Sequence, residues 1–359
     1  MSRAMRWGIV VAASVIAAAT VRPASATFSG TNGRITFHRF LPHKDGPDLS
    51  GVEIFSAKSD GSDEQRLTFS GDGRSSALSD WSPEGSRVAF DSDRIDQDGQ
   101  DDVVQIYLMP WNGESFGLQQ LTVGPGFHGD PAWSPTGAQI TIDSDWGNYP
   151  ADQGIWIIPS SDPDGVTKDE AQRVTILPPG TGFDSEPQFS PNGQWIVFTR
   201  FRSCKFIPQG YLQPLAGCLQ AIFKVHPDGT GLTRLTAWGP ENSSPDWSPD
   251  GRKITFDSGD VGAEGSKGNV YVMNADGSAK QRLTNNPPVS HFGHDFQDVR
   301  FELANNPVWA PDGTKILYTQ WQDGGFPVWL VSVNPDGSGQ TVILDGDFFQ
   351  NKADWGTHP

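Results

Sequence analysis

Three groups of residues in this chain have the type and spacing to do chemistry. The stretch DQDGQDD at 96–102 alternates acids around a glycine, the arrangement a hard cation favours because several carboxylate and carbonyl oxygens must converge on it. Asp96 and Asp98 are its candidate calcium ligands; the closing glutamate of a full calcium loop is missing, and a solvated acidic loop is the competing reading. His291, His294 and Asp295 form a His-x-x-His-Asp group that could hold zinc or another transition metal. On a loop no helical face converges them, so His128 or His38 would have to help, and ordinary polar loop residues are the alternative. Arg200 and Arg202, in TRFRSCK from position 199, could neutralise a carboxylate on a ligand, with Trp146, Trp321, Phe348 and Phe349 stacking on sugar rings or simply packing their loops. No Gly-x-Ser-x-Gly nucleophile elbow occurs.

The pairs Asp91-Ser92, Asp143-Ser144 and Asp257-Ser258 recur, so their expected work is capping backbone groups at strand ends. Asp93 and Asp145 lie one residue further on and are candidates for an acidic funnel.

The elements that would position these groups belong to an exported chain. Arg3 and Arg6 precede the apolar run WGIVVAASVIAAATV, and RPASA follows with Ala24 and Ala26 at the small-residue positions of a cleavage site, so residues 1–26 read as a signal and the fold starts near Thr27. The apolar run is shorter than a bilayer span, and no membrane span is expected in the mature chain. Removing the signal takes away three arginines and no acid, moving the formal charge from −17 to −20 and disfavouring nucleic acid as a partner. Cys204 and Cys218 are the two cysteines; in an oxidising compartment they are expected to pair and staple one loop, a constraint worth about 3 kcal/mol in the chain-entropy treatment.

One phrase recurs along the whole mature chain. SDWSPEGSRVAFDSD at 79, PAWSPTGAQITIDSD at 131, PQFSPNGQWIVFTRF at 187, PDWSPDGRKITFDSG at 245 and PVWAPDGTKILYTQW at 307 place an aromatic residue ahead of a proline–glycine turn and an alternating apolar strand. A second phrase ending in Asp-Gly or Asn-Gly follows each copy, then a short closing run such as QRLTF. Four β-type runs per copy with tight-turn chemistry between them predict one four-stranded propeller blade each. A sixth copy is divided: ADWG at 353–356 supplies the anchor, Trp355, and GRITF at 33–37 supplies the strand that should follow it. Six anchors, Trp81, Trp133, Phe189, Trp247, Trp309 and Trp355, therefore predict an all-β, six-bladed propeller over residues 27–359, closed by pairing strands from the two ends of the chain. Because the anchors recur with the repeat, their expected role is packing between blades.

The Trp-Ser-Pro-Asp-Gly phrase, the strand ending in Asp-Gly-Ser and the closing Arg-Leu-Thr resemble the TolB-like β-propeller repeat across residues 30–359. That resemblance implies the propeller fold. TolB proteins carry an α/β domain before the propeller, and prolyl-oligopeptidase-like enzymes carry a hydrolase domain beside it; the repeats here start almost at the expected cut and run to the last residues, so neither extra domain is expected.

Strand alternation puts the Ser-Pro-Asp-Gly and Asp-Gly-Ser turns on one rim and the long, dissimilar connections on the other. Recognition is expected on the variable rim and the channel mouth beside it, with Asp93, Asp145, Arg200, Arg202, His128 and Trp321 as ligand-binding candidates. The reading that follows is an exported, periplasmic or secreted monomer that binds an envelope or extracellular protein, peptide or polysaccharide and needs no cofactor, with calcium or a transition metal the ion its loops could take. The alternative is a metal-dependent polysaccharide lyase or hydrolase on the same rim.

Overall fold

The computed structural model describes residues 28–42, 49–71, 74–94, 103–111, 117–202, 218–239, 241–259, 268–285, 304–321, 328–345 and 350–357. The expected signal, residues 1–26, lies outside them. Six four-stranded antiparallel sheets make up the described chain, with one 3-10 turn at Lys168–Glu170. Blade one holds β1 (Ile35–Pro42), β2 (Leu49–Ala57) and β3 (Gln65–Arg66). Blade two follows with β4 (Ser76–Trp81), β5 (Arg87–Ser92), β6 (Gln105–Pro110) and β7 (Gln119–Gln120). In blade three these become β8 (His128–Trp133), β9 (Gln139–Ser144), β10 (Gly154–Pro159) and β11 (Gln172–Arg173). Blade four comprises β12 (Gly182–Phe189), β13 (Ile196–Arg202), β14 (Leu219–Val225) and β15 (Thr233–Arg234). Blade five comprises β16 (Asn242–Trp247), β17 (Lys253–Gly259), β18 (Gly268–Asn274) and β19 (Gln281–Arg282). Blade six has β20 (Ala304–Trp309), β21 (Ile316–Trp321), β22 (Val328–Val333) and β23 (Thr341–Leu344), after which β24 (Gln350–Trp355) returns to blade one.

Ring closure is the one the divided repeat predicts. β24 pairs antiparallel with β1, setting Ile35 opposite Trp355 and Thr36 opposite Asp354. The first strands of successive blades, β24, β4, β8, β12, β16 and β20, touch one another in that order around the axis.

Local chemistry explains why each copy folds into a blade. In the first hairpin the glycine of the Ser-Pro-x-Gly turn takes a positive φ and donates its N–H back to the serine carbonyl, as at Gly85 (φ 67°) to Ser82 and Gly251 (φ 68°) to Ser248, each 2.8 Å. The second hairpin uses its glycine for close approach as well as conformation: a Cβ at Gly61 would lie 1.9 Å from the Ile343 carbonyl oxygen of the neighbouring blade. The outermost strands are only two residues long in five blades, and a threonine hydroxyl lengthens each ladder. Thr68, Thr122, Thr175, Thr236 and Thr284 accept the N–H of Ile54, Ile106, Ile155, Ile222 and Val270 at 2.8–3.0 Å, which is why the closing phrase so often ends in Leu-Thr.

The five tryptophan anchors and Phe189 are buried between blades. Three of them are also held by a carboxylate from the preceding blade: the N–H groups of Trp81, Trp133 and Trp309 donate to Asp354, Asp80 and Asp246 at 2.7–2.8 Å. These are charge-assisted bonds, buried at Trp309 and part-buried at Trp81 and Trp133, and losing the acceptor leaves an N–H poorly satisfied. Asp246→Ala should therefore destabilise the chain by about 1–3 kcal/mol in urea unfolding. A change within error would mean the seam does not depend on this bond.

Candidate functional site

Each inner strand bulges three residues before its anchor. Leu78, Asp130, Glu186, Ser244 and Asn306 all take positive φ of 45–57°, and the register of the inner hairpin shifts at each of them. A bulge re-aims side chains, and here polar groups of successive blades meet at the axis. The Ser244 N–H donates to Glu186 at 2.7 Å, its hydroxyl donates to Asn306 Oδ1 at 2.8 Å, and Thr199 donates to Glu186 at 2.7 Å. On the other side of this belt the Ser185 hydroxyl lies 2.9 Å from both Asp130 and Asp143. Asp257 accepts the Ser243 hydroxyl and, from the next blade, the Asn306 N–H. Burial pushes the Asp257 carboxyl above the ordinary carboxylate range despite these donors. The channel waist is thus an arc of oxygen acceptors across blades three to six, several of them carboxylates.

Two different faces flank the waist. The proline–glycine turns form one; the long connections form the other, which holds the candidate ligand residues. Asp93 and Asp145 spend carboxylate oxygens on rim backbone: Asp93 takes the Ser75 N–H at 2.5 Å, and Asp145 takes those of Phe127 and Gly147 at 3.1 and 2.9 Å. Arg200 forms a two-pronged ion pair with buried Asp184 at 2.6 and 2.7 Å and lies over Phe223, so its charge is committed within blade four. Arg202 stacks 3.9 Å above Trp238, a cationic and aromatic shelf on the variable face, while Phe183 and Phe201, on the other side of the same hairpin, lie parallel with centroids 4.3 Å apart. Trp321, at the end of β21, is half-buried.

His128 departs most from the sequence reading. It is fully buried at the start of β8, with Nδ1 2.9 Å from the Ser144 hydroxyl and its ring 4.4 Å edge-on to Trp146. Trp146 is itself buried against Trp156, so neither ring faces a ligand. Two of the repeated Asp-Ser pairs cap backbone as expected, the Ser92 hydroxyl donating to Ser75 O at 2.6 Å and Ser144 Oγ accepting the Trp146 N–H at 3.1 Å, whereas the Ser258 hydroxyl donates to a side chain, Asn242 Oδ1, at 3.1 Å. Asp96, Asp98, His291, His294, Asp295, Phe348, Phe349 and Cys204 lie outside the described residues. Cys218 is buried just before β14. Among the described residues no three His, Cys, Asp or Glu side chains converge as a metal set.

Comparison with solved structures places this architecture. TolB from Acinetobacter baumannii superposes with a TM-score of 0.64 at 18% identity, over 90% of this chain and 66% of that one. A putative TolB from Agrobacterium tumefaciens superposes with a TM-score of 0.56 at 18% identity, over 91% of this chain and 99% of that one. The chain has a TolB-like β-propeller fold. The same fold is shared by an oligogalacturonate lyase in complex with manganese, with a TM-score of 0.51 at 13% identity over 87% of this chain and 74% of that one, so the TolB-like frame does not by itself choose a function. By sequence, an uncharacterized protein of Agrobacterium fabrum, Atu1656, is 28% identical over 251 residues, 69% of each chain. The uncharacterized peptidase YuxL of Bacillus subtilis is 25% identical over 135 residues, 38% of this chain and 17% of that one. No family model matches.

Within the TolB-like frame, sequence reasoning missed the waist. Its signal was available: the position three before each anchor reads Leu, Asp, Glu, Ser, Asn and Lys, polar in five of six copies although it lies on an innermost strand.

Burial pushes the His128 imidazole down to about 3, so the folded chain holds it neutral while the unfolded chain protonates it near pH 6.5. Its contribution is fully present above that pH and is lost as pH falls toward the folded value. Between pH 7 and pH 5 this site alone should cost about 2 kcal/mol of stability. In His128→Asn, which keeps a polar group toward Ser144 but does not titrate, the urea midpoint should fall less steeply over that interval; parallel pH profiles would contradict the assignment.

Proposed function

We propose that this chain is an exported binding propeller that recognises an envelope or extracellular protein or peptide through its variable-loop face and the channel mouth there. The observation that carries the reading is the distribution of exposed apolar side chains. Of the five large apolar side chains exposed among the described residues, Phe69 (65% exposed), Tyr149 (43%) and Ile176 (75%) stand on connections of the variable face, against Leu232 on the short-turn face and Val342 on the outer strand β23. Each is on a different connection, so the three spread apolar contact area over the face whose loops differ most from blade to blade, where recognition by a scaffold normally resides. The Arg202–Trp238 shelf adds a cation and an aromatic ring to this face, groups that suit a peptide.

Export follows from the signal-like first 26 residues, and none of the described helical structure is long and apolar enough to cross a membrane. Pairing of Cys204 with Cys218 would staple the loop between β13 and β14 beside this entrance. The chain works as a monomer in this reading.

The test combines binding and metal dependence in mature chain 27–359. Replacing Phe69, Tyr149 and Ile176 together by serine should abolish pull-down of an envelope partner without lowering the melting midpoint, whereas Leu232→Ser on the opposite face should leave it intact. Equal capture by both variants would overturn the assignment of the face. Chelator-stripped chain should melt within 1 °C of chain given micromolar calcium, manganese or zinc; a rise of several degrees would move the reading to a metal-loaded rim.

A further inference from the structure

The short-turn face, which the proposed function does not use, carries a second arrangement. Residues 28–33 do not belong to any blade, yet they run across the end of the channel. Asn32 makes two side-chain bonds to the turn of blade six, Nδ2 donating to Asp312 Oδ2 at 2.9 Å and Oδ1 accepting the Asp312 N–H at 3.1 Å. The Gly30 N–H donates to the Pro311 carbonyl at 3.1 Å, and the Gly33 N–H to Gly356 O at 2.9 Å. From this tether the chain reaches the axis, where Phe28 packs against the apolar clusters between blades two and three and between blades three and four.

Phe28 closes a cavity whose other walls include Asp80, Trp133, Gln188, Asp246 and Asp354. Those residues come from five of the six blades, so the phenyl ring occupies the point where the propeller converges. What remains beneath it is about 10 Å³, room for one water. An aromatic ring is the group this floor fits: it is walled by Trp81, Trp133 and Trp355, and the carboxylates at its margin, Asp80, Asp246 and Asp354, are engaged with the anchor N–H groups, leaving an apolar face for the ring. Beside the tether a groove of about 790 Å³ runs between the turns of blades five and six, walled by Pro249, Trp309, Pro311 and Pro335.

We infer that the short-turn face holds a peptide socket whose resident ligand is the chain's own segment 28–32, with Phe28 as the anchor. The segment is held by a few hydrogen bonds and one ring rather than by a sheet ladder, so it is separable from the fold. Seated, it makes the channel a blind well that opens only at the variable face; withdrawn, it leaves a site for an extended peptide led by an aromatic residue.

The experiment uses two chains, residues 27–359 and residues 33–359, with a fluorescent acetylated peptide of sequence Thr-Phe-Ser-Gly-Thr-Asn-Gly. Fluorescence anisotropy should show saturable binding to the trimmed chain and none to the intact one. Alanine in place of phenylalanine in the peptide should weaken that binding at least tenfold. Equal binding to both chains, or no loss with the alanine peptide, would overturn the socket. Should the trimmed chain fail to fold, Phe28→Ala in the full mature chain decides the matter through the tryptophans of the floor. Acrylamide quenching should rise relative to the parent chain, and an unchanged quenching constant would show that Phe28 seals nothing.

Discussion

A ring of sheets holds only if every blade grips the next, and at three of the six seams that grip includes a carboxylate of one blade on the backbone N–H of the following anchor tryptophan. Asp354, Asp80 and Asp246 provide it at three seams. One of the three, from Asp354 to Trp81, lies beside the place where the two ends of the chain meet in a single sheet. Each bond is charge-assisted and at least part-buried, so it is strong when made and costly when half-made. That constraint fixes the inner strands against one another, and the bulges three residues earlier then bring side chains of neighbouring blades together at the waist.

The two faces differ because the same constraint bears on them differently. Glycines of the second hairpin approach the backbone of the neighbouring blade, as Gly61 does at Ile343, and those of the first pack on prolines of the adjacent turn, so both sets of turns are short and alike. Connections on the other side carry no such demand, and they hold the exposed apolar groups together with the shelf at Arg202 and Trp238. A channel stopped by Phe28 at the uniform face and open at the variable one would direct a ligand to one entrance only. Rigid scaffold and variable rim are thus consequences of a single packing rule, and function is free to reside where the rule is silent.

Blade number, turn chemistry and the divided closing blade were legible in the sequence because each rests on local patterns repeated six times. Contacts between blades were not. Arg200 looks available in the linear string, but its partner Asp184 sits on the adjacent strand and claims both guanidinium prongs. His128 and Trp146 read as rim groups because their loops are polar, whereas the fold turns both inward against Trp156. The threonine that lengthens each outer strand was visible only as a recurring letter until the third-strand N–H it accepts was in place. Phe28 gave no signal at all, since it precedes the first repeat and its neighbours at the axis come from residues 80 to 355.

The most direct measurement is native-state amide hydrogen exchange of the mature chain, comparing the closing sheet with an uninterrupted blade. If the seam is as strong as its bonds imply, Ile35 and Thr36 of β1 and the Trp81 amide should exchange with the same opening free energy as Ile140 and Ile142 of β9, all in the slowest class. Exchange at Ile35, Thr36 and Trp81 through an opening several kcal/mol easier than that of β9 would contradict the account, because the ring would then be parting at its seam while the blades stayed folded.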